Sequence, residues 1–92
     1  MGKYQVILKP KAERDLLIIK KSGNKAAINK IQQIFKELSN TPYEGTGNPE
    51  ALKYELSSYW SRRINKKDRL VYQVNEDEVI VLVISALGHY DD

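Results

Sequence analysis

The chain has 92 residues, 41% of them hydrophobic, with 15 Lys and Arg against 12 Asp and Glu. A chain of this length is expected to form one domain over residues 1–92, burying about 60–70% of the surface its unfolded form exposes, so a functional site belongs in a surface groove rather than a deep interior. The absence of cysteine excludes disulfides, thiolate zinc sites and thiol nucleophiles, and a net charge of +3 is too small by itself to single out a nucleic-acid partner.

The opening Met1-Gly2-Lys3-Tyr4-Gln5 lacks the apolar stretch of a signal peptide. The longest apolar run, Val79 to Leu87, is broken by Ser85 and falls far short of the ~18 residues of a membrane span. A soluble, cytoplasmic protein with no membrane association is expected. Tyr4 to Leu8 reads as a short strand, stopped by Pro10, which suits the first turn of a helix. That helix is predicted over Pro10 to Lys21, with Ala12, Leu16 and Ile19 on one face and Leu17 and Ile18 widening it. Gly23 supplies its C-cap and Asn24 the next N-cap. In a second helix, Lys25 to Ser39, Ile28, Ile31, Phe35 and Leu38 step by three and four. So short a break predicts an antiparallel helix pair.

After Asn40 the character changes. Thr41 to Pro49 is rich in turn formers. Thr41-x-x-Glu44 has the spacing of a capping box, but Gly45 and Gly47 follow it in place of an apolar run. Gly45-x-Gly47 is no phosphate loop, because no Gly-Lys-Ser/Thr follows. Alternation at Leu52, Tyr54 and Leu56 predicts a strand. Tyr59 to Ile64 and Arg69 to Asn75 read as strands joined by Asn65-Lys66-Lys67-Asp68, with Leu70, Tyr72 and Val74 facing one way and Arg69, Val71 and Gln73 the other. Val79 to Ala86, apolar on both faces, is predicted as a central strand. Helices grouped ahead of an antiparallel meander make an α+β domain: a short N-terminal strand, a two-helix hairpin, then an antiparallel sheet of three to four strands.

Two segments carry the positive charge. Lys9 to Lys30 holds seven basic and two acidic residues, most simply a solvated helix face. Lys53 to Arg69 holds six and two, including Arg62, Arg63 and Arg69. Arginine offers a rigid fork of donors that matches phosphate. Tyr54, Tyr59, Trp60 and Tyr72 interleave with these cations, a pattern suited to single-stranded RNA, although Trp60 and Tyr72 read better as core. With Glu50 ahead of the cluster and the single histidine, His89, behind it, the chain has a base, phosphate-holding cations and an acid. Those groups suffice for cutting a phosphodiester without metal.

The run from Thr41-Pro42-Tyr43-Glu44-Gly45 through Pro49-Glu50, Leu52-Lys53, Trp60-Ser61-Arg62-Arg63-Ile64 and Arg69-Leu70-Val71-Tyr72 to His89-Tyr90 resembles the YoeB branch of the RelE-like toxins over about half the chain. The resemblance implies a RelE-like fold and the toxin of a type II toxin–antitoxin system, a ribosome-dependent mRNA endonuclease that uses neither cofactor nor metal. It implies Glu50 as general base on the ribose 2′-hydroxyl, Arg69 stabilising charge on the phosphate and His89 protonating the 5′-oxygen. Lys53 and Arg63 would hold phosphate, and Tyr90 would orient RNA. The implied partners are an acidic antitoxin of the YefM/Phd type, the ribosome and its mRNA, and a second copy of the chain. Asp91-Asp92 departs from the pattern by extending beyond the tyrosine. Two other readings stay open at this stage: a gyrase-inhibiting ParE-like toxin of the same fold, and an RNA- or ribosome-binding module that cuts nothing.

Overall fold

The computed structural model describes residues 3–52 and 59–87. Lys53, Tyr54, Leu56, His89 and Tyr90, to which the sequence assigns roles, lie outside these residues. The elements in chain order are β1 (Gln5–Leu8), α1 (Pro10–Ser22), α2 (Lys25–Leu38), β2 (Glu50–Ala51), β3 (Tyr59–Arg63), β4 (Arg69–Asn75) and β5 (Ile80–Ser85). The strands form one five-stranded sheet in the order β1-β5-β4-β3-β2. β2 to β5 are antiparallel neighbours, whereas β1 joins β5 in parallel. The α+β architecture expected from the sequence is present. The N-terminal strand adds itself to the far edge of the meander, which makes β5 central.

Local sequence explains the helix ends. Pro10 opens α1, Gly23 closes it in the left-handed region at φ 76°, and the Asn24 side chain caps α2 by accepting from the Ala27 amide at 3.1 Å. Ala12 and Ile19 of α1 and Ala27, Ile31, Ile34 and Leu38 of α2 pack on Leu70, Tyr72, Val81 and Val83 of the sheet. The expected widening of the apolar face of α1 does not occur. Leu17 and Ile18 are 54% and 56% exposed, and Asp15 takes the buried position between Ala12 and Ile19. The helical period puts residues 12, 15 and 19 on one stripe and turns 17 and 18 away.

The most consequential interior residue is Arg62, 0% exposed on the helix-facing side of β3. Its guanidinium donates to Glu37 of α2 at 2.6 Å, to the Tyr72 hydroxyl at 3.1 Å and to the carbonyls of Thr41, Glu44 and Thr46 at 2.8, 3.0 and 3.3 Å. Glu37 also accepts from the Thr46 amide and hydroxyl, each at 2.7 Å, and from Gln33 at 2.9 Å. The loop of residues 41–49 is thereby tied to α2 and to the sheet by one buried cation and its counter-charge. Gly45 and Gly47 have left-handed φ values of 124° and 85°. A Cβ on Gly45 would lie 2.2 Å from Glu37 Oε1, and one on Gly47 would lie 2.8 Å from the Arg63 carbonyl. These glycines let the loop close on the ion pair. On its other side the loop is held by Tyr43, whose hydroxyl donates to Glu76 as Tyr4 does and whose ring packs against Trp60.

Burial alone would raise the Glu37 carboxyl above its ordinary 4.5, but the hydrogen bonds from Gln33, Thr46 and Arg62 outweigh it and bring the carboxyl to about 2. Because the folded value lies below the unfolded one, the stabilisation from ionised Glu37 is complete above about pH 4.5 and is lost as pH falls toward 2. Glu37→Gln strands the Arg62 charge and is expected to cost about 3–5 kcal/mol at neutral pH. It should also flatten the decline in stability between pH 5 and pH 2. Urea unfolding of wild type and variant across that range checks both. Parallel curves separated by less than 1 kcal/mol, with the decline retained in the variant, would show that the pair does not govern stability.

Candidate functional site

The pairing of β2, β3 and β4 sets the geometry. Glu50 lies opposite Ser61, Ser61 opposite Val71, and Arg63 opposite Arg69. Opposed residues on antiparallel strands share a face, as do residues two apart on one strand. Glu50, Arg63 and Arg69 therefore all lie on the side of the sheet turned away from the helices. Leu52, Ser61 and Val71, all buried, sit on the same side and form its floor. Glu50 and Arg63 are exposed, and Arg69 is half-buried.

The spacing leaves room for a ligand. As diagonal neighbours, Glu50 and Arg63 are about 7–8 Å apart, while the Cβ atoms of the opposed Arg63 and Arg69 are about 4.5–5.5 Å apart. The ion pairs among the described residues are Lys11–Asp15 and Arg62–Glu37, so Glu50, Arg63 and Arg69 are not neutralised by one another. Two like charges placed directly across a strand pair destabilise the sheet. An anion seated between them converts that repulsion into a two-armed clamp, because each guanidinium can donate in parallel to a phosphate. Among the described residues no group of three or more His, Cys, Asp or Glu side chains converges to hold a metal. No described helix is long and apolar enough to cross a membrane.

The loop that Arg62 clamps leads directly into this site. The Gly47 carbonyl accepts the Arg63 amide at 2.7 Å. Asn48 then adopts a left-handed φ of 53°, a conformation asparagine tolerates, before Pro49 and Glu50 enter β2. The position of Glu50 thus depends on a contact at Arg63. The structure brings Glu50, Arg63 and Arg69 together; Lys53, His89 and Tyr90 lie outside the described residues. Arg62, grouped by sequence with the phosphate-seeking cations, belongs instead to the interior. The signal was available: Trp60, Arg62 and Ile64 have one strand parity, which is the core parity, while Ser61 and Arg63 have the other.

The family model for the YoeB-like toxin of bacterial type II toxin–antitoxin systems matches residues 9–90. The chain belongs to this family. It is 42% identical over 81 residues to Toxin YoeB of Mycobacterium bovis, a match that covers 88% of this chain and 92% of that one. It is 47% identical over 58 residues to Toxin YoeB of Escherichia coli O6:H1, covering 63% and 69%. Among solved structures, the YoeB dimer from Staphylococcus aureus superposes with a TM-score of 0.81 at 33% identity, over 97% of this chain and 100% of that one. The YafQ chain of the Escherichia coli DinJ–YafQ complex, 12% identical with a TM-score of 0.78 over 94% and 93%, shares the fold. The family membership and the fold agree with the resemblance seen in the sequence.

The opposed arginines of this YoeB-like toxin make a direct test possible. Arg63→Gln, at the exposed position, is expected to leave stability unchanged or raise it by about 0.5 kcal/mol at low salt. The difference should shrink as salt screens the repulsion. Thermal melts at low and high ionic strength measure this. A loss above 1 kcal/mol that persists in high salt would mean that Arg63 is part of the scaffold rather than of an open cationic site.

Proposed function

We propose that this YoeB-family toxin is a ribosome-dependent mRNA endoribonuclease that cuts in the ribosomal A site by metal-independent acid–base chemistry. The observation that carries the reading is the convergence of a carboxylate and two opposed arginines, none ion-paired with another described residue, on one face of the sheet. Family membership supports it. Glu50 takes the proton from a ribose 2′-hydroxyl. The resulting alkoxide attacks the adjacent phosphorus, and the bond to the 5′-oxygen breaks. Arg69 and Arg63 stabilise the negative charge that develops on the phosphoryl oxygens. His89 gives its proton to the departing 5′-oxygen. Lys53 adds a further phosphate contact, and Tyr90 orients the RNA. The products are a 2′,3′-cyclic phosphate and a free 5′-hydroxyl, with every proton accounted for.

A groove with one carboxylate base, one imidazole acid and a few cations positions a flexible RNA strand poorly by itself. The ribosome supplies that positioning. We assign the whole of residues 1–92 to one toxin domain that acts in the cytoplasm. Silencing falls to an acidic antitoxin whose extended segment covers the cationic face. A YoeB–YefM complex is known from Staphylococcus aureus, from a chain 33% identical to this one, and the YoeB dimer from the same source makes self-association a second partner state. The carboxylate placed beside the arginine clamp favours this reading over a gyrase-directed toxin or a non-cutting RNA-binding module. Those functions have no use for a general base there.

Arg69→Ala and Glu50→Ala are each expected to lower the rate of cleavage of ribosome-bound mRNA by about 100- to 1,000-fold, the scale for losing one transition-state contact. Their ribosome affinity should change far less. His89→Gln should bind and fail to cut. Primer-extension mapping of cleaved mRNA and ribosome co-sedimentation separate the two effects. Production of soluble wild-type chain without an antitoxin should arrest growth. Unaltered growth and translation would overturn the proposal, and rapid cleavage of naked RNA would overturn its ribosome dependence.

A further inference from the structure

Asp15 is an acidic residue in the buried stripe of α1, 6% exposed. Its Oδ2 accepts the backbone amides of Ala86 at 3.0 Å and Leu87 at 3.3 Å, and the Lys11 ammonium at 2.6 Å. These contacts span 71 and 72 positions of sequence, which makes them a tie between the first helix and the end of the last strand. The reason for a carboxylate there lies in the sheet. β1 pairs with β5 only as far as Leu8 opposite Val83, because Pro10 then starts α1. β5 overruns its parallel neighbour, and the amides beyond that point need another acceptor. A charged acceptor satisfies both at once with stronger bonds than a carbonyl would make. Burial alone would raise the Asp15 carboxyl, but the Ala86 amide, Lys11 and the Leu87 amide together hold it below its ordinary value, so it stays ionised.

The place of this tie gives it a role. β5 runs antiparallel to β4, so beyond Ser85 it heads for the Arg69 end of β4. Where Ser85 meets Val71 the register slips, with β5 carrying an additional residue; this bulge redirects the chain. Leu87 lines a groove of about 390 Å³ together with Ile18 and Ile19 of α1 and with Asn65, Lys67 and Asp68 of the turn that leads into Arg69. In the sequence His89 follows Leu87 by two residues.

We propose that Asp15 is a positioning residue for the cleavage reaction: by binding the Ala86 and Leu87 amides it fixes the direction in which the chain leaves β5 and so aims the segment bearing His89 at the arginine clamp. This rests on the endoribonuclease reading above and extends it to a residue on the opposite side of the sheet that touches no substrate. Loss of the tie displaces the acid and leaves the phosphate-binding arginines in place. Cleavage therefore suffers while ribosome binding does not.

The test is a double-mutant cycle on single-turnover cleavage of ribosome-bound mRNA. Asp15→Ala is expected to slow cleavage by about 10- to 100-fold, the scale of a misplaced catalytic group, with ribosome affinity unchanged. In the His89→Gln background the same change should add less than about twofold, since neighbouring residues that act through one another are not additive. Asp15→Asn keeps one acceptor oxygen and should fall between wild type and Asp15→Ala. It carries the test if the alanine variant does not fold, as judged by circular dichroism. Hydrogen exchange at the Ala86 and Leu87 amides, measured on the same proteins, should accelerate in step with the loss of activity. Equal slowing by the Asp15 substitutions with and without His89, or unchanged cleavage in a folded Asp15 variant, would overturn the inference. A wild type that does not cut would instead overturn the endoribonuclease reading, with the exchange measurement still reporting whether Asp15 holds the strand end.

Discussion

Arg62 is the residue on which the arrangement of this toxin depends. Its charge is fully removed from water, and a guanidinium in that position persists only if its donors are met. One carboxylate, one phenol and three carbonyls meet them, and all three carbonyls come from the loop between α2 and β2. The loop has little apolar surface of its own with which to dock. It is instead wrapped around a buried cation, with two glycines where a side chain would strike Glu37 or β3. Glu50 is placed at the end of that loop. The interior ion pair thus does more than offset its own desolvation: it gives an irregular segment one conformation.

The sheet divides its arginines by strand parity. On the inner face Arg62 is neutralised by Glu37 and fixed. On the outer face Arg63 and Arg69 stand opposite each other with no ion-pair partner among the described residues. The outer pair lowers the stability of the sheet slightly, a cost of the kind that functional sites carry and scaffolds avoid. The floor beneath it is tightly packed, with Ser61 and Val71 buried, so the arginines extend from a rigid base. Rigid presentation of charge is what transition-state stabilisation requires, because donors that must reorganise during reaction lose much of their benefit.

The two edges of the sheet are secured by different means. At the β2 edge, Arg62 and the loop hold two residues of strand in register with β3. At the β1 edge, α1 begins immediately after the strand, and Asp15 takes over the amides that the shortened pairing leaves behind. Glu76, in the β4–β5 turn, gathers the hydroxyls of Tyr4 and Tyr43 and joins the N-terminal segment to the loop. Its carboxyl is held below its ordinary value chiefly by the Tyr43 hydrogen bond, with Tyr4 second. Three carboxylates, Asp15, Glu37 and Glu76, each join parts of the chain that lie far apart in sequence.

Local sequence determined much of this. Pro10, Gly23 and Asn24 specify where the helices begin and end, since their preferences depend only on their own backbone. Strand alternation separates Leu70 and Tyr72 from Arg69 and Val71, and the family motif marks Glu50, Arg63 and Arg69 as a set. Tertiary structure decided what depends on residues far apart in the chain. The parallel docking of β1 on β5, the burial of Arg62 by a loop, and the capture of two strand-end amides by Asp15 each arise from contacts between distant segments. A charged residue read in isolation is assigned to solvent, because burying it costs several kcal/mol unless partners are supplied. Those partners come from elements 10 to 72 positions away, and only the folded chain brings them together.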